Sequence, residues 1–453
     1  MTPAGPYAQL RADHAAGRLD NVIVALPDLQ GRLQGSRLSV PHFLDEAAPH
    51  GFGACTYLLA TDVEMNTGPG YAIDAWNTGF GDFLLKPDPA TYTTLPWDEA
   101  TALVIADATW PDGTPVPVAP RHILRTQLDR LAAHGLTAHA GTELEFLAFQ
   151  ETYAQAHEGH YHGLRPATRH SVDYALQGTS HLEPMLRRIR REMVQAGLTL
   201  ETARAEVHPG QYEIVFRYAE AMTTADHTTL FKHGTKHIAA QEGHAVTFMP
   251  KYDDGEGNSC HIHLSLRGAD GSPVLADPAA PDGMSPLMRH FVAGQLACLP
   301  DFTLLMAPNI NSYKRLQPGA FAPTGITWGR DNRTCPVRVI GHGHSLRIEH
   351  RVPGGDANPY LALAAALAAG LHGIENRLPL PDPHPANALA DPAVPRLPST
   401  LTAALHHWET SDLVAKAFGD TVTTHYAQAA RTELAAFERA VTDWERHRGF
   451  ERL

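Results

Sequence analysis

The stretch GTELEFLAF, residues 141–149, decides how the chain is built, because it reads as a strand yet carries two carboxylates two residues apart. Strand side chains alternate faces. Glu143 and Glu145 therefore share one side, continued by Leu147 and Phe149, while Leu144, Phe146 and Ala148 pack on the other. In a central strand two anions would stand in low-dielectric surroundings, which is costly unless positive charge meets them. At a sheet edge the same glutamates would simply face water. The alternation leaves both arrangements open.

Outward from this strand, RHILRTQLDRLAAHG (121–135) has helical spacing and ends at Gly135, a C-cap residue. SHLEPMLRRIRREMVQAGLTL is a second helix, expected to be capped by Ser180, and a strand follows in ETARAEVHPGQYEIVF. HAVTFMP and SCHIHLSL are further strands, DANPYLALAAALAAGLHGIENRL is a helix with Asp356 near its start, and the tail is amphipathic helix. Before residue 108 the β-like pieces NVIVAL, RLQGSRLSV, CTYLLA and TALVIAD point to a small sheet-rich domain. ATWPDGTPVPVAP (108–120), with its four prolines and a glycine, reads as a linker.

At 453 residues the chain exceeds one ordinary core. Its 43% hydrophobic and 19% charged residues are those of a globular protein. A net charge of -13 argues against a general nucleic-acid binder. Cys55, Cys260, Cys298 and Cys335 form no CxxC pair, so neither a disulfide framework nor a cysteine zinc site is indicated. Arg11, Asp13, His14, Arg18 and Asp20 leave no apolar core for a signal peptide. The run YLALAAALAAGL (360–371) falls short of the roughly 20 residues of a membrane span. A soluble cytoplasmic protein without nucleic-acid or membrane partners is expected.

Three other places repeat the oddity of the opening strand. NSCHIHLSL puts His261, His263 and Ser265 on one strand face; EVHPGQYE offers Glu206 and Glu213 across a Pro-Gly turn; RIEHR aligns Arg347, Glu349 and Arg351. Taken singly, each fits a structural role, hydrogen-bonded core histidines included. Together, five glutamates and a histidine make an oxygen-dominated donor set without thiolate, which suits magnesium or manganese better than zinc. Such ions commonly act on phosphates, and Lys314, Arg315, Arg330, Arg333, Arg338 and Arg351 supply cationic side chains. There is no GxxxxGK[ST] and no GxGxxG, so a phosphate donor would be held by metals and arginines.

In chain order, GTELEFLAF, EVHPGQYE, FMPKYDDGEGNSCHIHLSL, NSYKRLQPGAFAP, RDNRTCPVRV and RIEHRVPGGDANPYLALAAALAAGLHGIE resemble the landmark segments of the glutamine synthetase family. GFGDFLLKPDPATYTTLPW is similar to the acidic stretch that precedes the family's catalytic domain. The resemblance implies an α+β fold: a small β-grasp-like N-terminal domain (1–107), the linker, and a larger glutamine synthetase-type α/β catalytic domain (121–453). It also implies a homododecamer of two hexameric rings with active sites between subunits.

Carried over by position, it implies one metal site at Glu145, Glu206 and Glu213 and a second at Glu143, His261 and Glu349. Arg315, Arg351 and Gly257 would hold glutamate, Arg333 and Arg338 the transferring phosphoryl group, and His263 and Ser265 the nucleotide. Asp28, from the adjacent subunit, would act with Glu206 and Tyr174 on the nucleophile. The implied reaction uses ATP to make γ-glutamyl phosphate, which an amine then displaces.

Two positions depart from the family pattern. Phe321 replaces the flap glutamate that closes the site and attracts ammonium, and Gly31 stands where ammonia-using relatives can carry a polar side chain. Both changes favour an organic amine, such as ethanolamine, a monoamine or a polyamine, over ammonia. LPLPDPHPANALADP lacks the tyrosine that some bacterial relatives modify with AMP, so no such control is expected. The alternatives are a true glutamine synthetase and a non-catalytic regulatory member.

Overall fold

The computed structural model describes residues 5–73 and 75–453, which form an α+β molecule with two sheets. The first contains β1 (Asn21–Pro27), β2 (Leu33–Ser39), β3 (Phe52–Cys55), β4 (Asp82–Pro87), β5 (Thr93–Thr94) and β6 (Thr101–Thr109). Their order is β2-β1-β6-β4-β3, with β5 beside β6. β1 and β6 run parallel and their neighbours antiparallel, the mixed layout of a β-grasp-like unit. Val22, Val24 and Leu26 of β1 are all 0% exposed and form its inner face.

CTYLLA does not become a strand. β3 ends at Cys55, and Thr56–Leu59 is a 3-10 turn that buries Thr56 and Leu59, three residues apart, as that helix requires. The proline-rich 108–120 stretch is a packed connection: Thr109 bridges Pro115, and Val116 and Val118 are 0% exposed. One hydrophobic cluster runs from Val22 and Phe83 of the first sheet through Val118 to Leu363.

The second sheet holds β7 (Leu136–Phe149), β8 (Leu200–Ala205), β9 (Gln211–Phe216), β10 (Ala219–Glu220) and β11 (Ala245–Thr247). It continues with β12 (Cys260–Gly268), β13 (Trp328–Arg330), β14 (Val337–Ile340) and β15 (Arg347–His350). The order is β13-β14-β15-β12-β7-β9-β8, and β10 and β11 also pair with β7. The glutamate-bearing strand is therefore central, which excludes the edge arrangement. Leu144, Phe146 and Ala148 are buried beneath it, with Phe146 against the rings of Tyr212, Phe231 and Phe248.

Helix Pro120–Ala133 ends as expected: Gly135 has φ 69° and donates its N–H to Ala132 O at 2.9 Å. The next long helix is not capped by Ser180, which closes a separate short helix, Leu176–Ser180. It starts instead at Glu183, where Pro184 in its first turn sacrifices no intrahelical hydrogen bond.

Helix Pro359–Glu375 is capped by Asn358, whose side chain accepts from Tyr360 N, and not by Asp356, which accepts from Asn309 Nδ2 and Ser312 Oγ. That helix is buried along most of its length, and a Cβ at Gly370 would stand 2.0 Å from the Phe291 ring. No helix among the described residues is long and apolar enough to cross a membrane.

Candidate active site

Strand register assembles the site. Glu143 stands opposite His261, Glu145 opposite Glu213, and Glu349 opposite both His263 and Arg338. Directly opposed residues share a sheet face, so the acidic side chains converge without any loop to gather them. Glu206 lies just past β8, where its N–H donates to Gln211 O at 3.0 Å. Gly210 completes that turn with φ 76°, and a Cβ there would meet Ala148 O at 2.7 Å.

Three sets of donor atoms lie within 4.8 Å of one another: Glu145–Glu206–Glu213, Glu143–Glu213–His261 and Glu143–His263–Glu349. The first is the set that the family pattern implies. The expected second set is regrouped: His261 Nδ1 lies 3.4 Å from Glu143 and 3.6 Å from Glu349, but Glu213 and His263 complete the two triads. His263 is drawn in because its Nε2 lies 2.9 Å from Glu143 Oε1. Arg347 Nε donates to His263 Nδ1 at 3.0 Å, which places the imidazole proton on Nε2, facing Glu143.

These donors fit a hard divalent cation. Glu213 Oε1 is buried without an aligned hydrogen bond, although Arg204 Nη2 lies 2.7 Å from it, which leaves an acceptor free for a cation. Burial, with Glu143 and Glu145 close by, pushes the Glu213 carboxyl up to about 9. Burial and Glu145 push Glu206 up to about 7. Burial would also raise Glu349, but His261 and Arg351 outweigh it and hold that carboxyl down at about 2. Glu143, likewise raised by burial, is brought well below the usual carboxylate range by hydrogen bonds from His261 and His263.

Three cavities join at these side chains. One of about 410 Å³ is lined by Glu145, Glu206, Gly257, Arg315, Phe321 and Arg351. A second, of about 460 Å³, shares Glu145, Glu206, Phe321 and Arg351 with it and adds Arg333 and Arg338. The third, of about 420 Å³, meets the second at Glu143 and is walled by Tyr218, His263, Ser265 and Arg347. A Cβ at Gly257 would stand 2.1 Å from Pro250 O, so only glycine allows this approach.

The arginines differ in what they already hold. Arg315, 4% exposed, donates to Val352 O at 2.9 Å and Arg351 O at 3.3 Å. Burial lowers its pKa, with Glu145 acting against that. Arg338 and Arg351 both donate to Glu349, so two cations expected to meet substrates are engaged by an expected metal ligand. Arg333 is exposed and has no hydrogen bond or ion pair among the described residues. Tyr174, with φ 55°, lies under Arg204 at 5.2 Å.

Asp28, expected to serve the cleft of an adjacent subunit, lies apart from this subunit's own cleft. It is 1% exposed, and its carboxylate accepts from Arg32 Nε at 2.7 Å, Arg32 N at 2.8 Å, Gln30 N at 3.0 Å and Gln34 Nε2 at 3.1 Å. It anchors the β1–β2 turn, because every lone pair faces a donor of its own segment. Gly31 belongs to the same turn: its φ is 75°, and a Cβ there would press on Asn358 at 3.2 Å. Backbone geometry therefore accounts for this glycine.

The family pattern left out three contributors. Arg204 donates to Glu206 at 2.8 Å, and the alternation along ETARAE, which sets the two on one face, is the signal that could have found it. Gln211 Nε2 reaches Glu145 at 3.2 Å and Gly257 O at 3.0 Å; Ser259 N donates to Glu145 at 2.7 Å. Neither carries a sequence signal, since both act from neighbouring strands or turns.

The family description "Glutamine synthetase, catalytic domain" matches residues 117–449. The chain is 57% identical over 453 residues to gamma-glutamylethanolamide synthetase GlnA4 of Streptomyces coelicolor, covering 100% of this chain and 97% of that protein. It is 33% identical over 431 residues to a glutamate–isopropylamine ligase of a Pseudomonas species, covering 94% of each. A solved structure described as a GmaS/ADP complex superposes with a TM-score of 0.86 at 28% identity, covering 100% of both chains. The chain belongs to the glutamine synthetase family.

Proposed function

We propose that this protein is an ATP-dependent ligase that joins the γ-carboxyl of glutamate to a small organic amine, with ethanolamine as the favoured nucleophile. The observation that carries this reading is Phe321 in the wall of the cleft that also holds the three metal-capable triads. The 57% identity to a gamma-glutamylethanolamide synthetase supports the choice of amine.

In this reading Arg315 and Arg351, with Gly257 behind them, hold glutamate in the first cavity. ATP enters the third, where the Tyr218 ring offers a stacking face and His263 and Ser265 offer polar contacts. Divalent ions, magnesium or manganese, at the Glu145–Glu206–Glu213 triad and at the triads sharing Glu143 would offset the charge that gathers during phosphoryl transfer.

A γ-carboxylate oxygen attacks the terminal phosphorus of ATP and ADP leaves. Exposed, unpartnered Arg333 and then Arg338 stabilise the moving phosphoryl group. The ammonium substrate first gives one proton to a carboxylate of the cleft; the freed amine nitrogen attacks the acyl carbon, phosphate leaves, and the proton released on amide formation goes to the departing phosphate. Glu206 suits the uptake of the amine's proton, since it lines both cavities where the nucleophile would meet the acyl phosphate. Tyr174 borders the nucleophile's approach.

Assembly into two hexameric rings is part of the reading, supported by apolar side chains left outside on the C-terminal segment, among them Trp444 at 67% and Phe450 at 89% exposure. A cytoplasmic location follows from the use of ATP and glutamate. The test is ADP release with ATP, glutamate and magnesium against ethanolamine, methylamine, putrescine, spermidine and ammonium. Ethanolamine is expected to support the fastest turnover, and robust turnover with ammonium alone would overturn the reading.

A further inference from the structure

An amine substrate reaches the cleft as a cation, because primary ammonium groups lose their proton only near pH ~10. Something negative must recognise it, and the 317–324 segment that carries Phe321 contains no acidic residue. In the first cavity, Glu145 is committed to Ser259 N and Gln211, and Glu206 to Arg204; both also belong to a metal-capable triad. Two further carboxylates line the same cavity, Asp173 and Glu256. Among the described residues neither has a hydrogen bond or ion pair, and neither falls in a metal-capable triad.

Their placement gives each a part. Asp173 lines both the first and the second cavity, where the nucleophile would meet the acyl phosphate. Glu256 lines the first cavity and also a wide outer depression of about 850 Å³, which shares Val207 with it. It thus stands where the cleft opens to solvent. Between them Ala320, Phe321, Ala322 and Val207 supply an apolar wall.

A second observation marks the cavity as built for a polar ligand: Ser259, 2% exposed, and Arg351, 5% exposed, keep Oγ and Nε without partners in its wall.

We propose that Asp173 and Glu256 recognise the positive charge of the incoming amine, taking over from the missing flap glutamate, while Phe321 and its alanine neighbours cover a short alkyl chain. The ligand class is a short primary alkylammonium. This rests on the ligase reading and adds to it the residues that choose the nucleophile. Splitting recognition between an outer and an inner carboxylate draws the cation inward along a path of negative potential, and the apolar wall excludes a second charged end.

The test compares initial rates for ethanolamine, a cation, with those for hydroxylamine, which is largely uncharged near neutral pH and traps the acyl phosphate as the γ-glutamyl hydroxamate. In Asp173→Asn/Glu256→Gln, the KM for ethanolamine should rise on the order of tenfold relative to that for hydroxylamine, while the KM for glutamate stays within about twofold. Either single variant should give a smaller part of the change. An unchanged KM ratio, or an equal rise for both nucleophiles, would overturn the proposal even though hydroxamate still forms. Absence of hydroxamate with the unmodified enzyme would instead defeat the ligase reading, and this proposal with it.

Discussion

Two buried clusters of charge in this chain are arranged in opposite ways. Arg121, 2% exposed, is enclosed by Asp226 at 3.1 Å, Asp107 at 2.6 Å and Asp88 at 2.7 Å, while Tyr360 donates to Asp226 at 2.7 Å. Both oxygens of Asp226 meet a donor. In the cleft, by contrast, Glu213 Oε1 is buried without an aligned donor. The first cluster closes on itself and holds the N-terminal strands to the helices of the catalytic part. The second leaves a buried carboxyl oxygen free beside an open cavity. Buried charge alone is thus a poor mark of function; incomplete compensation in a cavity is the better one.

Removing one charge from each cluster should have opposite effects on stability. Arg121→Ala leaves Asp226 buried and uncompensated, and should cost about 3–5 kcal/mol in urea unfolding, enough to deplete the folded protein. Glu213→Gln removes a carboxyl whose charged form burial and the neighbouring Glu143 and Glu145 disfavour. Its unfolding midpoint without divalent ions should hold or rise, while magnesium-dependent turnover falls on the order of 100-fold. A loss of stability in Glu213→Gln comparable to that of Arg121→Ala would erase the contrast.

Phe321→Glu restores charge to the flap and should raise ammonium use roughly tenfold relative to ethanolamine, read as the ratio of kcat/KM values. No gain would mean that this position does not govern the nucleophile.

The smallest effect concerns His425, buried with its Nε2–H donating to Leu59 O at 2.7 Å and held down at about 4 by burial. A folded-state value below the ordinary 6.5 means that the unfolded chain takes up the proton first. Its contribution is therefore present above pH 6.5 and is lost as the pH falls from there towards 4. His425→Asn should flatten the fall of Tm across that window; an unchanged slope would place the acid sensitivity elsewhere, for instance at His350, also held near 4.

Much of the site was readable before any coordinates. Alternation in GTELEFLAF, HxH in β12 and the Glu206/Glu213 spacing named the acidic donors, because side-chain type and strand period are local properties. Ser180 and CTYLLA were misread for the converse reason. A proline at position 184 and the inward pull on Leu59 outweighed local propensity.

Residue type and strand period therefore marked which side chains offer oxygen donors on one face, and the resemblance to the family marked Phe321 as a departure, all of which depend on residue identity. The central place of β7, the sharing of Glu143 between two triads and the capture of Arg338 and Arg351 by Glu349 came from the fold. They turn on which strands lie side by side and in what register, and a shift of one residue would have sent every one of these carboxylates to the opposite face.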